Sequence, residues 1–589
     1  MSGQQATIIE IQGPLLRART TRPFSLFESV QVGEHRLLGE VIRLNKNEIT
    51  VQVYEDSTGL SPGDEVTGHG QPLSIPLSPA VLGGIFDGLL RPLTGFDTPF
   101  VPRGFQPKLD DTFRFEPMIA VGTEVAAGQP IAKVSRANAA DQLLLTPPDL
   151  AGRVDRLVEA GEYTIGDVLC EIETPHGRRE MQGVHHWPVR VPRPIAERLP
   201  VSQPLITGQR ILDSLFPVAL GGKAAVPGGF GTGKTVLLET LARWCSADVI
   251  VYVGCGERGN ELTGMLEEFP QLVDPRNDRP LMERTVIIAN TSNMPVAARE
   301  ASIYTAITVA EYFRDQGLDV ALMADSTSRW AEALREISGR LGELPGEAGY
   351  PAYLSSRLAD FYERAARVRT LSGEEGSVTV MGTVSPPSGD FSEPVVVHTK
   401  RYVRCFWALD AQRAQARMYP AINPLLSYSE DADVLSGWWQ TQGNSRWQEL
   451  RRSVLGLLED QVRLERMARI IGKDAMPYRQ QLRLACAELV NDAFLRQSAF
   501  SEIDRYCSPG RQTAILELLM RFMDQAEQAV ARAVHPDRIT ELPIYRRLQR
   551  MSEEIGEDQM ETFETLKHQL DEEMQSLLDQ HGAEEAHAG

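Results

Sequence analysis

Short segments in which apolar and polar residues alternate occupy the first part of the chain. Thr7–Ile11, Leu37–Ile42 and Ile49–Val53 are such segments, and turn-forming residues such as Asn45 and Pro62 separate them. A period of about two is typical of strands that bury one face. Short strands with turns between them predict a small antiparallel β-barrel over residues 1–78.

A second β-rich stretch follows a segment that is rich in glycine and proline. We interpret residues 79–110 as a linker and the start of the next domain, because Gly and Pro interrupt regular structure. Residues 111–187 contain Val121–Val125 and Gly128–Val134, which are typical of the hairpins of a small sandwich module. No lysine occupies a hairpin tip there, so a structural spacer or docking lobe is favoured over a carrier of a swinging cofactor.

From residue 188 the pattern changes to apolar strands that alternate with helices. Val249–Val253, Thr285–Ala289 and Asp319–Asp325 are nearly continuous apolar runs, and a helix is predicted from about Pro295 to Gln316. Such strands indicate a parallel sheet that helices cover on both faces, here over residues 188–429. Ligands of these sheets bind beyond the carboxyl ends of the strands.

The remaining residues, 430–589, show the spacing of helices. Val454, Leu457, Leu458 and Val462 share one helical face, and apolar residues recur three or four apart between 560 and 577. The predicted fold is therefore multidomain α+β. It comprises an N-terminal β-barrel, a β-rich insertion, a central α/β domain with a mostly parallel sheet, and a C-terminal helical bundle.

One segment of the central domain matches the phosphate-binding pattern G-x-x-x-x-G-K-[ST]. Glycines in such a loop turn backbone N–H groups inward at a helix N-terminus, while the lysine contacts phosphate and the hydroxyl completes a Mg²⁺ shell. The segment predicts a nucleoside triphosphate site. Its residues are Gly228, Gly229, Phe230, Gly231, Thr232, Gly233, Lys234 and Thr235, with Val236 continuing into the helix.

Three charged residues follow predicted strands that neighbour this loop. Asp325 ends an apolar strand, a position suited to support Mg²⁺, and Glu257 and Arg258 follow Val249–Val253 between glycines. A carboxylate can orient the attacking water, and a guanidinium can stabilise charge on the transferred phosphoryl group. We therefore expect Lys234, Glu257 and Arg258 to be catalytic, and Thr235 and Asp325 to hold the metal.

Composition narrows the function classes. The 589 residues carry a formal net charge of −20, which disfavours nucleic acid and anionic lipid as direct partners. No apolar run approaches the length of a membrane span, the N-terminus lacks a signal-peptide pattern, and the six cysteines form no C-x-x-C pair. A cytoplasmic protein with reduced thiols is expected.

These motifs resemble those of the catalytic A (alpha) subunit of V/A-type rotary ATPases, in a prokaryotic form. The similarity covers essentially the whole chain. The loop departs from the usual family sequence at Gly229 and Thr232, and neither change removes a backbone donor. The segments that carry the resemblance are Pro227–Thr235, Gly254–Glu261, Ile288–Pro295, Ala324–Trp330, Pro345–Pro351, Val384–Pro387 and Gly389–Pro394.

The resemblance implies a RecA-like central domain and a set of residue roles. Lys234 and Thr235 are expected to bind phosphate and Mg²⁺, Glu257 to activate water, Arg258 to contact the γ-phosphate and Asp325 to support Mg²⁺. The adenine pocket is expected to use Tyr419, Gln497 and Phe500, with Tyr350 resembling an aromatic that the F-type relative uses there.

The resemblance also implies partners. We expect an alternating A3B3 hexamer with non-catalytic B subunits that supply an arginine finger, together with central-stalk and peripheral-stalk subunits. ATP hydrolysis or synthesis would be coupled to proton or sodium translocation, with the membrane reached only through other subunits, at the cytoplasmic face. The alternatives are another hexameric RecA-like motor, such as a protein-export ATPase, and a non-catalytic nucleotide-binding subunit.

Overall fold

The computed structural model describes residues 4–94 and 101–588. Residues 1–3 of the predicted barrel, residues 95–100 of the predicted linker and residue 589 lie outside this part. The described chain forms a β-barrel, a two-sheet insertion, an α/β domain and a helical domain, in that order, which confirms the predicted fold class.

The N-terminal strands close into a barrel in the order β1-β2-β5-β4-β3-β6. Its interior is filled by alternate apolar side chains such as Ile8, Val30 and Val51, as the period of two predicts. The strands are β1 (Gln4–Gln12), β2 (Leu15–Thr20), β3 (Glu28–Val32), β4 (Leu37–Asn45), β5 (Glu48–Val53) and β6 (Glu65–Pro72).

A two-stranded ribbon marks the base of the insertion, because β7 (Ser74–Leu77) pairs with β17 (His185–Pro188). Between them, β8 (Ile85–Phe86) joins the edge of the central sheet. The insertion contains two four-stranded sheets around its own apolar core. One has the order β10 (Glu124–Val125), β13 (Gly152–Leu157), β15 (Val168–Thr174), β16 (Gly177–Gln182), and the other β12 (Ala139–Leu145), β11 (Pro130–Arg136), β9 (Thr112–Pro117), β14 (Gly161–Thr164).

Gly128–Val134 belongs to a hairpin, as predicted, because β11 pairs antiparallel with β12, whereas Val121–Val125 contains β10, which pairs with a strand further along the chain. β10 pairs with β13, whereas β11 pairs with β12 and β9, so the two segments belong to different sheets. Two packed sheets bury apolar side chains from both inner faces, so segments that are close in sequence can belong to different layers.

The central sheet has ten strands, and its main path runs β26-β25-β19-β24-β22-β20-β21-β8. Most pairs are parallel, and β18 and β23 add an antiparallel edge. The strands are β18 (Glu197–Leu199), β19 (Lys223–Pro227), β20 (Val249–Glu257), β21 (Thr285–Thr291), β22 (Asp319–Asp325), β23 (Ala366–Arg369), β24 (Glu375–Val384), β25 (Cys405–Phe406) and β26 (Tyr428–Ser429).

Helices cover both faces of this sheet, which explains why its strands are apolar throughout. Side chains of α1 and of the C-terminal helices share one buried cluster with one sheet face, and α3 and α4 pack on the other. The helices of this domain are α1 (Lys234–Trp244), α2 (Gly259–Glu268), α3 (Val296–Arg314), α4 (Thr327–Arg340), α5 (Leu354–Tyr362), α6 (Pro394–Lys400) and α7 (Ala411–Gln415).

The C-terminal domain is helical, as predicted. Val454, Leu457 and Leu458 are buried in the core shared with α1, whereas Val462 is half-buried. The helices are α8 (Ala432–Thr441), α9 (Trp447–Ile471), α10 (Tyr478–Val490), α11 (Pro509–Ala531), α12 (Pro536–Thr540), α13 (Pro543–Glu554) and α14 (Glu561–Ala588).

Candidate nucleotide site

The phosphate-binding loop connects the end of β19 to the start of α1. Gly233 caps the helix with a φ of 84°, a left-handed conformation that favours glycine. At Gly228 a Cβ atom would lie 2.7 Å from both Leu409 Cβ and Thr232 Oγ1, so the close approach of the chain excludes a side chain. The glycines therefore give the loop a shape that exposes backbone N–H groups at a helix N-terminus.

Lys234 is positioned by the loop itself. Its Nζ donates to the carbonyl oxygens of Gly228 at 2.7 Å and of Gly229 at 2.9 Å. The Thr232 hydroxyl donates to the same Gly229 oxygen at 2.8 Å. The Lys234 ammonium is thus held across the mouth of the loop. Thr232, one of the two residues at which the loop differs from the usual family sequence, contributes a hydrogen bond to it.

Two carboxylates lie at the carboxyl ends of adjacent strands. Glu257 ends β20 and Asp325 ends β22. Asp325 is 5% exposed, and its carboxylate accepts hydrogen bonds from Thr383 Oγ1 at 2.6 Å and from the Tyr252 hydroxyl at 3.1 Å. Burial, together with the Asp325 charge, raises the pKa of Tyr252 well above its usual value, which keeps the phenol a donor.

Arg258, which follows β20, contacts Phe230 of the phosphate-binding loop. The Arg258 guanidinium lies 5.4 Å from the centroid of the Phe230 ring, and this ring is 85% exposed at the tip of the loop. A cation over an aromatic face is attracted by the ring quadrupole. The contact brings Arg258 beside the phosphate loop.

A cavity of about 430 Å³ opens between the loop and the C-terminal domain. It brings together Tyr419, Gln497 and Phe500, three of the four residues expected at the adenine pocket. Both aromatic residues are also exposed to solvent, Tyr419 by 43% and Phe500 by 89%. Other lining residues are Gln209, Thr232, Gly233, Val236, Leu237, Thr240, Leu409, Arg417, Pro420, Ala421, Arg496, Ser498, Ala499 and Glu553.

Tyr350, the fourth residue expected at the adenine pocket, lies outside this cavity. It is 8% exposed in the core on the α3 side of the sheet, and the Arg335 guanidinium lies 4.9 Å from its ring centroid. Burial, aided by Glu393, raises the pKa of Tyr350 to about 12. The described chain therefore gives Tyr350 a packing role on the opposite face of the sheet.

Gln497 lines the cavity, but its amide group is engaged elsewhere. The side chain is almost fully buried, Oε1 accepts from the Arg210 backbone N–H at 2.8 Å, and Nε2 donates to the Gly208 carbonyl at 2.8 Å. Both ends of the amide are used by the backbone of one turn. Gln497 therefore fixes the shape of the cavity wall, a role that its expected contact with adenine did not include.

Glu239 is a site residue that the sequence reasoning missed. It lies on α1, four positions after Thr235, and therefore about one helical turn from the loop. Burial, together with the carboxylates of Glu268 and Asp325, raises the pKa of Glu239 to about 7. The sequence signal that could have identified Glu239 is an acidic residue one helical turn beyond the phosphate-binding loop.

Comparison with known proteins identifies the family. A model of the nucleotide-binding domain of the ATP synthase alpha/beta family matches residues 208–429. The β-barrel domain of that family matches residues 8–70, its barrel-sandwich domain residues 107–190, and the C-terminal domain of V and A type ATP synthases residues 436–540.

Relatives that align over the full length of the chain support the same family. The A subunit of the A-type ATP synthase of Thermococcus kodakarensis is 48% identical over 591 aligned residues, covering 98% of this chain and 100% of the relative. The chain belongs to the family of A subunits of A-type ATP synthases. Another member of similar identity, the V-type ATP synthase alpha chain of Halothermothrix orenii, is 47% identical over 580 residues, 97% of this chain and 98% of the relative. The predicted family and the predicted enzyme class, a catalytic rotary ATPase subunit, are confirmed.

A solved structure extends the similarity in fold. The assembled ATPase EscN of the enteropathogenic E. coli type III secretion system superimposes with a TM-score of 0.62 at 23% identity, covering 88% of this chain and 100% of that chain. This identity shows a shared fold alone. The alternative of a protein-export motor is not favoured, because full-length relatives at 47–48% identity are A and alpha chains of A-type and V-type ATP synthases.

Two further findings concern membranes and metals. No helix in the described part of this A-type ATP synthase chain is both long and apolar enough to cross a membrane. Over residues 4–94 and 101–588, His, Cys, Asp and Glu side chains form no group of three or more that is arranged to hold a metal ion by itself.

Proposed function

We propose that this chain is the subunit that interconverts MgATP with ADP and phosphate in a rotary ATP synthase. The observation that carries the proposal is the meeting of the loop with Glu257, Arg258 and Asp325 at one edge of the sheet. The loop follows β19, the two carboxylates end β20 and β22, and the Asp325–Thr383 hydrogen bond ties β22 to the intervening β24.

The triphosphate binds along the loop in this proposal. Backbone N–H groups and the helix N-terminus contact the phosphate oxygens, and the Lys234 ammonium, already at the loop mouth, adds a positive charge. Electrostatic stabilisation by groups that are positioned in advance is the main contribution of proteins to phosphoryl transfer.

The donor set fits Mg²⁺. Thr235 is the second residue of α1 and offers a hydroxyl, and the Asp325 carboxylate is held in place by Thr383 and Tyr252. Both are hard oxygen ligands, and Mg²⁺ commonly combines one or two of these with phosphate oxygens and water. When bound, the ion neutralises charge on the phosphates; Thr235 and Asp325 are the residues that would hold it.

Glu257 and Arg258 act on the reacting phosphate. Glu257 is half-buried at the end of β20, where its carboxylate orients a water molecule for attack and takes a proton from it. Arg258 leaves the Phe230 ring to contact the γ-phosphate, adding a second cation to Lys234. In synthesis the same groups act on the reverse step.

The nucleoside binds in the 430 Å³ cavity. Tyr419 and Phe500 present exposed rings on which a base can stack, and Val236 and Gly233 connect this region to the phosphate loop. Gln497 is part of the wall, and its amide holds this part of the wall against the Gly208–Arg210 turn.

We also propose which subunits assemble with this chain. Non-catalytic B subunits would alternate with this chain in an A3B3 hexamer and supply an arginine finger in trans, with central-stalk and peripheral-stalk subunits completing the complex. Closure of the helical domain on the nucleotide would drive rotation and ion translocation, of protons or sodium, at the cytoplasmic face of the membrane. The full-length similarity to the A and alpha chains of A-type and V-type ATP synthases supports this.

Titration of MgATP into the full chain, followed by turnover assays with and without a B-type partner, tests the proposal. We expect binding by the chain alone and substantial turnover only in the mixture. Asp325→Asn should raise the Mg²⁺ concentration needed for half-maximal turnover, whereas Asp319→Asn, at the other end of β22, should not. Binding without turnover in the assembled complex would indicate a regulatory nucleotide subunit instead.

A further inference from the structure

The wall of the nucleotide cavity formed by residues 496–500 is held from behind by one buried arginine. Arg210 is fully buried, and its guanidinium donates to the carbonyl oxygens of Phe494 at 2.8 Å and Arg496 at 2.5 Å. It also donates to Asp504 Oδ1 at 2.5 Å, while Asp504 Oδ2 accepts from the Ser498 backbone N–H at 2.8 Å. The arginine thus contacts the wall directly at Arg496 and, through Asp504, at Ser498.

The backbone of the same arginine makes a second connection. Gln497 Oε1 accepts from the Arg210 N–H, and the Gln497 backbone N–H donates to the Tyr419 carbonyl at 2.8 Å. Three segments that are distant in sequence, around residues 210, 419 and 497, therefore meet at this point. Two of them carry the exposed rings of Tyr419 and Phe500.

The hydrogen bonds described above for this network end outside the phosphate loop. The loop takes its shape from its own glycines, from hydrogen bonds that Lys234 and Thr232 make within it, and from the close approach of Val384 and Leu409 to Gly228. Arg210 contacts the wall and Asp504, and its hydrogen bonds leave the loop untouched. Loss of the Arg210 network should therefore move the wall without moving the loop.

We propose that Arg210 is a positioning residue for the nucleoside end of the site, which fixes the 496–500 wall and so sets the affinity for the base and ribose of the substrate. The inference rests on the proposed function. Its physical basis is that charge-assisted hydrogen bonds in a buried network are strong, and that their loss leaves buried acceptors unpaired.

The test compares a nucleotide with a probe that lacks the nucleoside. MgATP and magnesium tripolyphosphate are titrated into the full chain, as wild type and as Arg210→Lys, because one ammonium cannot satisfy three acceptors arranged around a planar guanidinium. We expect the Kd for MgATP to rise about tenfold, the change that loss of one net charge-assisted hydrogen bond produces, and the Kd for tripolyphosphate to change less than about twofold.

Arg364→Lys is the matched control. Arg364 is also buried, bonds the Glu311 carboxylate and the Val189 carbonyl, and lies on the opposite face of the sheet. The Arg364→Lys variant should leave the affinities for MgATP and for tripolyphosphate unchanged. If Arg210→Lys weakens both ligands equally, or neither, the positioning role is wrong and Arg210 is a general structural residue.

Thermal unfolding reports whether Arg210→Lys folds. If it does not, Asp504→Asn provides a second test. Asp504→Asn replaces one of the two acceptor oxygens with a donor and should show the same selective loss of MgATP affinity. Equal loss for both ligands in this variant would overturn the inference. Failure of the proposed function is distinguishable, because wild-type chain would then bind neither MgATP nor tripolyphosphate.

Discussion

The two ends of the nucleotide cavity are built in different ways. The phosphate end is one continuous segment whose lysine bonds carbonyl groups five and six positions away. The nucleoside end combines residues from three distant segments, and its network joins positions 284 to 294 residues apart. Hydrogen bonds within one segment form most of the first, with Leu409 packed against Gly228, whereas contacts between distant segments form the second.

The two ends should therefore be sensitive to different changes. A loop held mostly by its own hydrogen bonds should fail when its own residues change, and should tolerate most alterations elsewhere in the domain. A wall held by distant side chains should respond to changes far from the ligand. Inorganic tripolyphosphate reports on the phosphate end alone, so it separates the two.

The largest effect is expected at the phosphate end. Lys234→Ala removes the cation at the loop mouth, and we expect turnover of the assembled complex to fall by at least about a hundredfold, as for other groups that stabilise phosphoryl charge. Affinity for MgATP and for tripolyphosphate should fall together. Steady-state turnover and titration measure both.

Lys223→Ala is the control for that variant. Lys223 begins β19, the strand that leads into the loop, and its ammonium binds the exposed Glu363 carboxylate. Normal turnover is expected. If Lys234→Ala keeps normal turnover, or loses affinity for only one of the two ligands, the phosphate end is not where we place it.

A smaller and selective effect is expected at the nucleoside end. Phe500→Ala and Tyr419→Ala each remove an exposed ring, and stacking of a base on an aromatic side chain contributes about 1–3 kcal/mol, so the Kd for MgATP should rise about fivefold or more. The Kd for tripolyphosphate should not change. Tyr478→Ala, which removes an exposed ring remote from the cavity, serves as control; an equal loss for both ligands would contradict the division into two ends.

Much of the phosphate end could be predicted from sequence, because its pattern is local. The strand predicted over Asp319–Asp325 has those bounds in the structure, and the loop, Glu257 and Asp325 meet at the expected edge of the sheet. Parallel topology alone requires this, since the carboxyl ends of parallel strands lie on one side.

The nucleoside end could be predicted only in part. Tyr419, Gln497 and Phe500 reach the cavity, but Tyr350 packs on the other face of the sheet. Nothing in the local sequence shows that the Gln497 amide binds the Gly208–Arg210 turn, or that Arg210 is buried among carbonyl groups. Such roles arise from contacts between distant segments, which periodicity and spacing do not encode.

The pH dependence of stability offers a finer probe of the phosphate end. The pKa of Glu239, raised to about 7, is higher in the folded chain than in the unfolded one. Its contribution to stability is therefore complete below its ordinary pKa range and is lost as pH rises through about 7. Glu239→Gln should raise the Tm of nucleotide-free protein by about 1–2 °C at pH 8.5, and by less at pH 5.

Differential scanning calorimetry across this pH range checks the expectation. Glu267→Gln, an exposed position on α2, should leave the profile of wild-type protein unchanged. The same Tm difference for Glu239→Gln at both pH values would show that the carboxyl is not perturbed by burial beside Asp325 and Glu268.

The smallest effect is expected where the loop departs from the usual family sequence. A Cβ atom at Gly229 would come no closer than 3.7 Å to any described neighbour, so Gly229→Ala should change turnover by less than about twofold, in keeping with an unstrained Gly→Ala change. Gly228→Ala is its counterpart, with a Cβ only 2.7 Å from Leu409 Cβ, and should impair phosphate binding. Equal behaviour of the two variants would mean that the loop is not the close-packed structure described.

We expect Glu257 to orient the attacking water, and to take a proton from it, at the site that the phosphate-binding loop forms. Turnover and MgATP affinity of the assembled complex carrying Glu257→Gln test it most directly. We predict that turnover falls by at least about a hundredfold, the usual contribution of a general base, while MgATP affinity stays within about threefold of wild type. Normal turnover in this variant would contradict the account.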